Sequence, residues 1–553
     1  MSVTEGRLNP VDQAVISQAL LSAAREMGIK LYRSAYSPIV RDGKDASTGI
    51  LDAEGNAVAQ SDELIPMLVG SLSITFRSCA ALYPVATLKE GDFYICNHPY
   101  HGAHHLQDIL IFVPIFHDGT IIGFSAAVAH HLDVGGGAPG LNSTATDFYQ
   151  EGLVIPPSKY NLAADWNDEG PLRRFIGANI RVPEQTLGDI DSQFAACAVG
   201  AARVREMCDK YSATTVCRAM AEMIAYTERR VRAAIAAIPD GTYAGEDAVD
   251  DDGLSDTPLP VRVTLTVKGD SLTVDFTGTS PQVKTHMNAP FASTVSATLA
   301  CVKAVLTGGD VPFNEGASRA VTITAPKGCL LNPNPPAPVR ARMEASFRAY
   351  DVVLKALGHA MPDQAVAPGY DCTTGFCLSH LKDGRYRVFI ELRDGGYGAS
   401  PRNDGCDAVA GPLSNCTNTP VEQIDADYDF FRIEAYALRP DSGGRGQHRG
   451  GLGSVRAYRI LEEGVRLAIY ADRFRIPAAG MAGGEAGACG SCIIHRDGGT
   501  IAVRSKDDVA LRKGDLILLS SGGGGGYGDP AARDEADAAR DQRLGLATAP
   551  ADA

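Results

Sequence analysis

The chain of 553 residues is 45 % apolar and 21 % charged, a globular composition long enough to bury several cores without a disulfide or metal staple. Its 51 Lys and Arg stand against 66 Asp and Glu, and the resulting charge of −15 argues against a general nucleic-acid or anionic-membrane surface. The longest apolar run, Asp108 to Phe116, is too short for a bilayer and the amino terminus lacks signal-peptide blocks, so a cytoplasmic protein acting on small molecules is expected.

Residues 10 to 34 carry Ile16, Leu20, Ala23, Met27 and Leu31 at steps of three and four, the apolar stripe of an amphipathic helix whose cap and first position are Asn9 and Pro10. From 46 to 60 the pattern predicts two short strands around a turn at Asp52 to Gly55, with Asp45 just before the first. Residues 92 to 137 read as sheet interrupted by a histidine-rich loop, and 192 to 238 as helices ended by Pro239-Asp240-Gly241. The acidic run 246 to 253 reads as a boundary. Two alternating strands around Lys268-Gly269-Asp270 follow, then helical patterns at 293 to 307 and near 343 to 360. The sequence therefore predicts a mixed α/β (α+β), multi-domain protein with mixed sheets flanked by helices. Its expected parts are an N-terminal metal-site domain (1–240), a mixed α/β domain (241–430), a glycine-rich β region (431–530) and a frayed or disordered tail (531–553).

Seven of the twelve histidines (His98, His101, His104, His105, His117, His130 and His131) fall within 34 residues, where even scattering would put about 0.7. Asp108 and Asp133 are interleaved with them, and imidazole with carboxylate suits Zn, Mn, Fe or Co better than Ca or Mg. His105 and Asp108 lie three apart in a loop entering a strand, where both side chains can turn toward one ion. His130 and His131 are adjacent at a strand end, so they leave opposite faces and only one of them reaches a metal on a given face. The ordinary alternative for each is a surface loop residue or a satisfied core histidine.

Thirteen cysteines, an odd number, fit free thiols in a reducing compartment, and Cys489 and Cys492 form the single close pair with no second pair beside it. The glycine-rich tracts 441 to 453 and 520 to 530 lack GxxxxGK[ST] and GxGxxG, so neither reads as a nucleotide loop; positive φ or tight backbone approach explains them better. No Gly-x-Ser-x-Gly elbow and no HExxH helix is present.

Several ordered stretches resemble the hydantoinase B/oxoprolinase family: RDGKDASTGILDAEGNAVAQ from Arg41, NHPYHGAHHLQD from Asn97, AHHLDVGG from Ala129, EGLVIPP from Glu151, and both glycine tracts. The resemblance implies a metal held by Asp45, His105, Asp108 and His130, a divalent transition ion such as Zn, Mn or Fe. It also implies a hetero-oligomer with a hydantoinase A-type ATPase subunit that binds ATP, and ATP-dependent opening of a small cyclic amide. His131, His98 and His104 would then handle protons. Carboxylation of a ketone by a related assembly, and a non-catalytic scaffold for the ATPase, are the other readings. Where the family loop usually reads NDPY, His98 replaces the Asp, and His104 stands at a position usually Thr, Ser or Asn.

Overall fold

A computed structural model describes residues 8–548 and shows a mixed α/β chain in which four sheets are flanked by helices. The helix Pro10–Ser34 starts where Asn9 Oδ1 accepts the Val11 N–H at 3.0 Å, and its predicted stripe is fully buried. It packs on a six-stranded antiparallel sheet made of β1 (Ala46–Asp52), β2 (Ala57–Gln60), β3 (Asp92–Cys96), β4 (Asp108–His117), β5 (Thr120–His130) and β6 (Ser158–Asn161), in the order β2-β1-β5-β4-β3-β6.

Both faces of this sheet are covered, which is why β4 reads as an almost unbroken apolar run instead of alternating. Phe93, Ile95, Ile109 and Ile111 pack with Ile190 of the long helix Pro183–Tyr211. The next residues along, Tyr94, Phe112 and Phe124, point the other way onto Phe76 of helix Pro66–Leu82, with ring centroids 4.5 to 5.8 Å apart.

A second sheet contains the strands Gly241–Val249, Leu259–Lys268, Ser271–Asp275 and Val321–Thr324, the last two pairing in parallel. The helix Arg342–Ala360 lies so close against it that a Cβ on Gly245 would stand 2.1 Å from the Val352 carbonyl oxygen. The acidic run at this junction is part strand and part buried ion-pair network. Asp247 meets Lys355 and Arg473, and Asp250 accepts the N–H groups of Phe474, Arg475 and Ile476. Buried carboxylates persist there because cations and backbone donors pair them.

The third and fourth sheets, of four and five strands, pack face to face through Phe376, Phe389, Tyr458, Ile494 and Ile517. The glycine tracts lie beside them. The N–H groups of Gly523, Gly524, Gly525 and Gly526 donate in turn to the carbonyls of Ala488, Gly451, Pro368 and Glu485, so one strand of backbone is wrapped by neighbours on several sides. A Cβ on Gly524 would sit 2.1 Å from the Tyr397 oxygen, and one on Gly523 1.9 Å from the Ser442 oxygen. Close approach, not positive φ, requires glycine here: Gly528 alone in this tract has φ in the left-handed region. Beyond it, Glu535–Arg543 is helical, with Asp541 paired to Arg533 and Arg449. Residues 549–553 of the predicted tail lie outside the described residues. Among those described, no helix is long and apolar enough to cross a membrane.

Candidate metal centre

Three neighbouring strands deliver the site. In the register of the sheet Asp108 at the start of β4 lies opposite His130 at the end of β5, and Ala46 of β1 lies opposite Ala129. Asp45 therefore arrives beside His130, whose N–H donates to the Asp45 carbonyl at 3.0 Å. The loop before β4 folds His105 back over Asp108. His105 Nε2 is 3.0 Å from Asp108 Oδ1 and 3.1 Å from His130 Nδ1, and His130 Nδ1 is 3.4 Å from the same carboxylate oxygen. Their ligand atoms all lie within 4.8 Å of one another, and all three side chains are buried. Asp45 Oδ2 lies 3.7 Å from His130 Nδ1, too far for a hydrogen bond, at the margin of the cluster.

The protonation pattern fits a cation at the centre. The Arg340 carbonyl lies 3.0 Å from His105 Nδ1, and a carbonyl can only accept, so that nitrogen carries the proton and Nε2 turns its lone pair inward. Burial, with Arg342 adding to it, holds the His105 pKa well below its ordinary value, so the ring is neutral. Burial alone would raise Asp108, but the Arg342 guanidinium beside it overcomes this and holds its carboxyl well below the usual range. Asp45 goes the other way: burial raises its pKa, His130 counters this in part, and the Asp108 charge adds to it. A ring lone pair and an ionised carboxylate thus face one point beside a second carboxyl short of a cation, the donor set of a transition ion.

The remaining predicted histidines are placed apart from that point. His131 leaves the opposite face of the strand end, toward helix Pro183–Tyr211, where its Nε2 meets Gln193 Oε1 at 3.1 Å. The Gln193 amide donates to the carbonyls of Ile109 and Ala127, so its oxygen faces the ring and His131 Nε2 carries the proton. Nδ1 of His131 is buried without a partner. His104 Nδ1 lies 2.9 Å from Ser293 Oγ. His98 caps the short turn Pro99–His101 and packs its ring against His101, Tyr100 and Phe148. Burial pushes the pKa of each of these three rings down to about 4, with His101 also lowering His98 and Arg342 also lowering His104.

Sequence reasoning missed the far wall of the site. A cavity of about 20 Å³, room for roughly one water, is lined by Asp45 and His130 on one side and by Arg342, Thr373, Cys416 and Tyr470 on the other. Arg342 opens the helix Arg342–Ala360 and places a guanidinium nitrogen 2.8 Å from Asp108 Oδ2. The available signal was a run of charged residues, Arg340, Arg342, Glu344, Arg348 and Asp351, inside a buried helical pattern.

Similarity to known proteins extends over almost the whole chain. The hydantoinase B/oxoprolinase profile matches residues 9–530. The putative B-type component of a D-/L-hydantoinase from Pseudomonas sp. (strain NS671) is 34 % identical over 549 residues, covering 96 % of this chain and 91 % of the relative. The 5-oxoprolinase of Saccharomyces cerevisiae is 29 % identical over 94 % of this chain, which spans only 42 % of that longer protein. Among solved structures, the ATP-dependent caprolactamase of Pseudomonas jessenii superposes with a TM-score of 0.89 at 25 % identity, over 98 % of this chain and 95 % of that one. An acetone carboxylase shares the fold with a TM-score of 0.87 at 19 % identity, over 98 % of this chain and 78 % of its own. With its profile matched almost from end to end, the chain belongs to the hydantoinase B/oxoprolinase family.

Proposed function

We propose that this chain is the B-type component of an ATP-dependent cyclic-amide hydrolase. An A-type ATPase partner phosphorylates the amide oxygen of a hydantoin, oxoproline or lactam ring, and this chain opens the phosphorylated ring. The observation that carries the reading is the convergence of His105, Asp108 and His130 with the His105 tautomer set by the Arg340 carbonyl. The names of its relatives, a hydantoinase component, a 5-oxoprolinase and a caprolactamase, supply the substrate class.

An amide carbonyl resists water because its nitrogen delocalises into it; phosphorylating the oxygen creates an activated imidate. After water adds to its carbon the C–N bond breaks, the ring nitrogen leaving protonated as an amine and the acyl phosphate passing to carboxylate and phosphate with a second water. A divalent Zn, Mn or Fe ion held by His105, Asp108, His130 and Asp45 would supply Lewis-acid polarisation at the reacting oxygen. Arg342 keeps Asp108 ionised for that task. His131, with Nε2–H fixed by Gln193 and Nδ1 open, can accept a proton, and His98 and His104 are the other candidates for holding one. The packing of both glycine tracts against backbone supports assigning ATP to the partner.

The test is reconstitution with the ATPase-type partner and a panel of N-methylhydantoin, 5-oxoproline and caprolactam. ADP and ring-opened product should appear together, and only with both proteins present. Ring opening by this chain without ATP would refute the division of labour. Bicarbonate-dependent consumption of a ketone would move the chain to the carboxylase branch, since acetone carboxylase shares the fold.

A further inference from the structure

Tyr470 ends a strand of the third sheet and stands across the small cavity from Asp45 and His130. Its ring occupies space that only glycine leaves open: a Cβ on the paired Gly375 would lie 2.4 Å from the ring carbon bearing the hydroxyl. Other buried tyrosines have their hydroxyls engaged, Tyr428 on the Val388 carbonyl, Tyr458 on Glu391 and Tyr370 with Thr374. Tyr470 is 2 % exposed, and among the described residues its hydroxyl makes no hydrogen bond. Arg342 lines the same cavity; one of its nitrogens pairs with Asp108 and its Nε is buried without a partner.

Tyr470 and Arg342, the latter already on Asp108 through one nitrogen, thus line with Asp45 and His130 a gap the size of a single oxygen. A buried donor without a partner, as at Arg342 Nε, is costly, and its persistence beside a reactive centre points to an acceptor that arrives with the ligand. Ile65, Met67 and Leu68 form an apolar side of the same cavity.

We propose that Tyr470 and Arg342 are catalytic residues that donate hydrogen bonds to the reacting oxygen of the substrate, carbonyl-derived or phosphoryl, and hold it against His105, Asp108 and His130. The proposal rests on the ring-opening reading above and names the donors that such a reaction needs where negative charge grows on oxygen.

The experiment uses the full chain, metal-loaded and with its partner, as wild type, Tyr470→Phe and Arg342→Lys. Three quantities are read: metal content, the affinity of the isolated loaded chain for inorganic phosphate by calorimetry, and kcat and KM for ring opening. Tyr470→Phe should keep its metal, weaken phosphate about tenfold and lower kcat about 10²-fold with KM little changed. Arg342→Lys should keep the charge beside Asp108 and most of the metal but lose phosphate affinity, because an ammonium cannot reproduce the guanidinium fork. Phosphate affinity and kcat both unchanged in Tyr470→Phe would overturn the proposal, as would a wild-type chain that binds no phosphate. If no ring in the panel is opened but phosphate binding falls in both variants, the function reading fails and the donor pair stands.

Discussion

The cluster at the end of the first sheet and the glycine-rich bundle beside the last two are both visible as compositional anomalies, and they work by opposite means. At the candidate metal centre, side chains from three strands and a loop converge, and strand register decides which of seven clustered histidines meet. In the bundle the absence of side chains is the point, because backbones approach to where any Cβ would overlap a carbonyl. One region fails by losing a ligand, the other by gaining an atom. The contrast teaches that residue clustering identifies a special place, while the reason for it lies in what surrounds each residue.

The largest effect is expected in the bundle. Gly524→Ala places a Cβ 2.1 Å from the Tyr397 oxygen, a backbone atom that cannot step aside, so the variant should fail to fold or lose more than about 4 kcal/mol, read by yield and thermal melting. Normal stability in Gly524→Ala would show that the bundle has slack the geometry denies it. Next comes the cluster: a His105→Ala, Asp108→Asn double variant should lose its metal by elemental analysis while keeping the fold. Asp108→Asn alone should cost more than metal affinity, since it also leaves the buried Arg342 without its counter-ion.

A third and smaller effect separates the two faces of one strand end. His130→Ala should lose metal and turnover together. His131→Ala should retain metal, because its ring points to Gln193, and turn over about 10²-fold more slowly, with an altered pH profile. Metal loss confined to His131→Ala would exchange the two roles.

The smallest effect is a change in slope. Glu151 accepts the N–H groups of Val339 and Arg340 at 2.9 and 2.7 Å and so braces the backbone whose carbonyl orients His105. Burial raises its pKa from 4.5 to about 8 despite those two donors. The folded state then holds more protons than the unfolded state between those values, so this residue's contribution to stability is lost as pH rises from about 4.5 to 8. Glu151→Gln keeps an acceptor oxygen and should flatten that decline, measured as melting temperature against pH; an unchanged slope would show that Glu151 is ionised throughout.

Much of this was legible in one dimension. The stripe Ile16 to Leu31 gave its helix because burial of one face needs a 3.6-residue repeat, and Asn9 with Pro10 marked its start. The hairpin at Asp52 to Gly55, both helices Phe291–Leu306 and Arg342–Ala360, and the divergence of His130 from His131 follow equally from local periodicity. Clustering alone singled out the histidine loop, and ordered motifs alone pointed to the family.

What local pattern leaves open is every relation between segments far apart in the chain. Asp45 meets His130 because β1 and β5 pair in one register, and a shift of one residue would turn the carboxylate to the other face. Arg342 and Tyr470, more than 200 residues beyond the histidines, reach the site only because a helix and the third sheet close over it. The acidic run at 246 to 253 resembles a linker in composition, yet Asp250 and Asp251 are buried, held by the Phe474 to Ile476 N–H groups and by Lys506, and the Asp247 carboxylate is paired by Lys355 and Arg473. The type of residue that can hold a metal was set by the sequence; which of them meet, and which cation and hydroxyl face them, was decided by strand register and packing, because side-chain chemistry is local and the meeting of side chains is not.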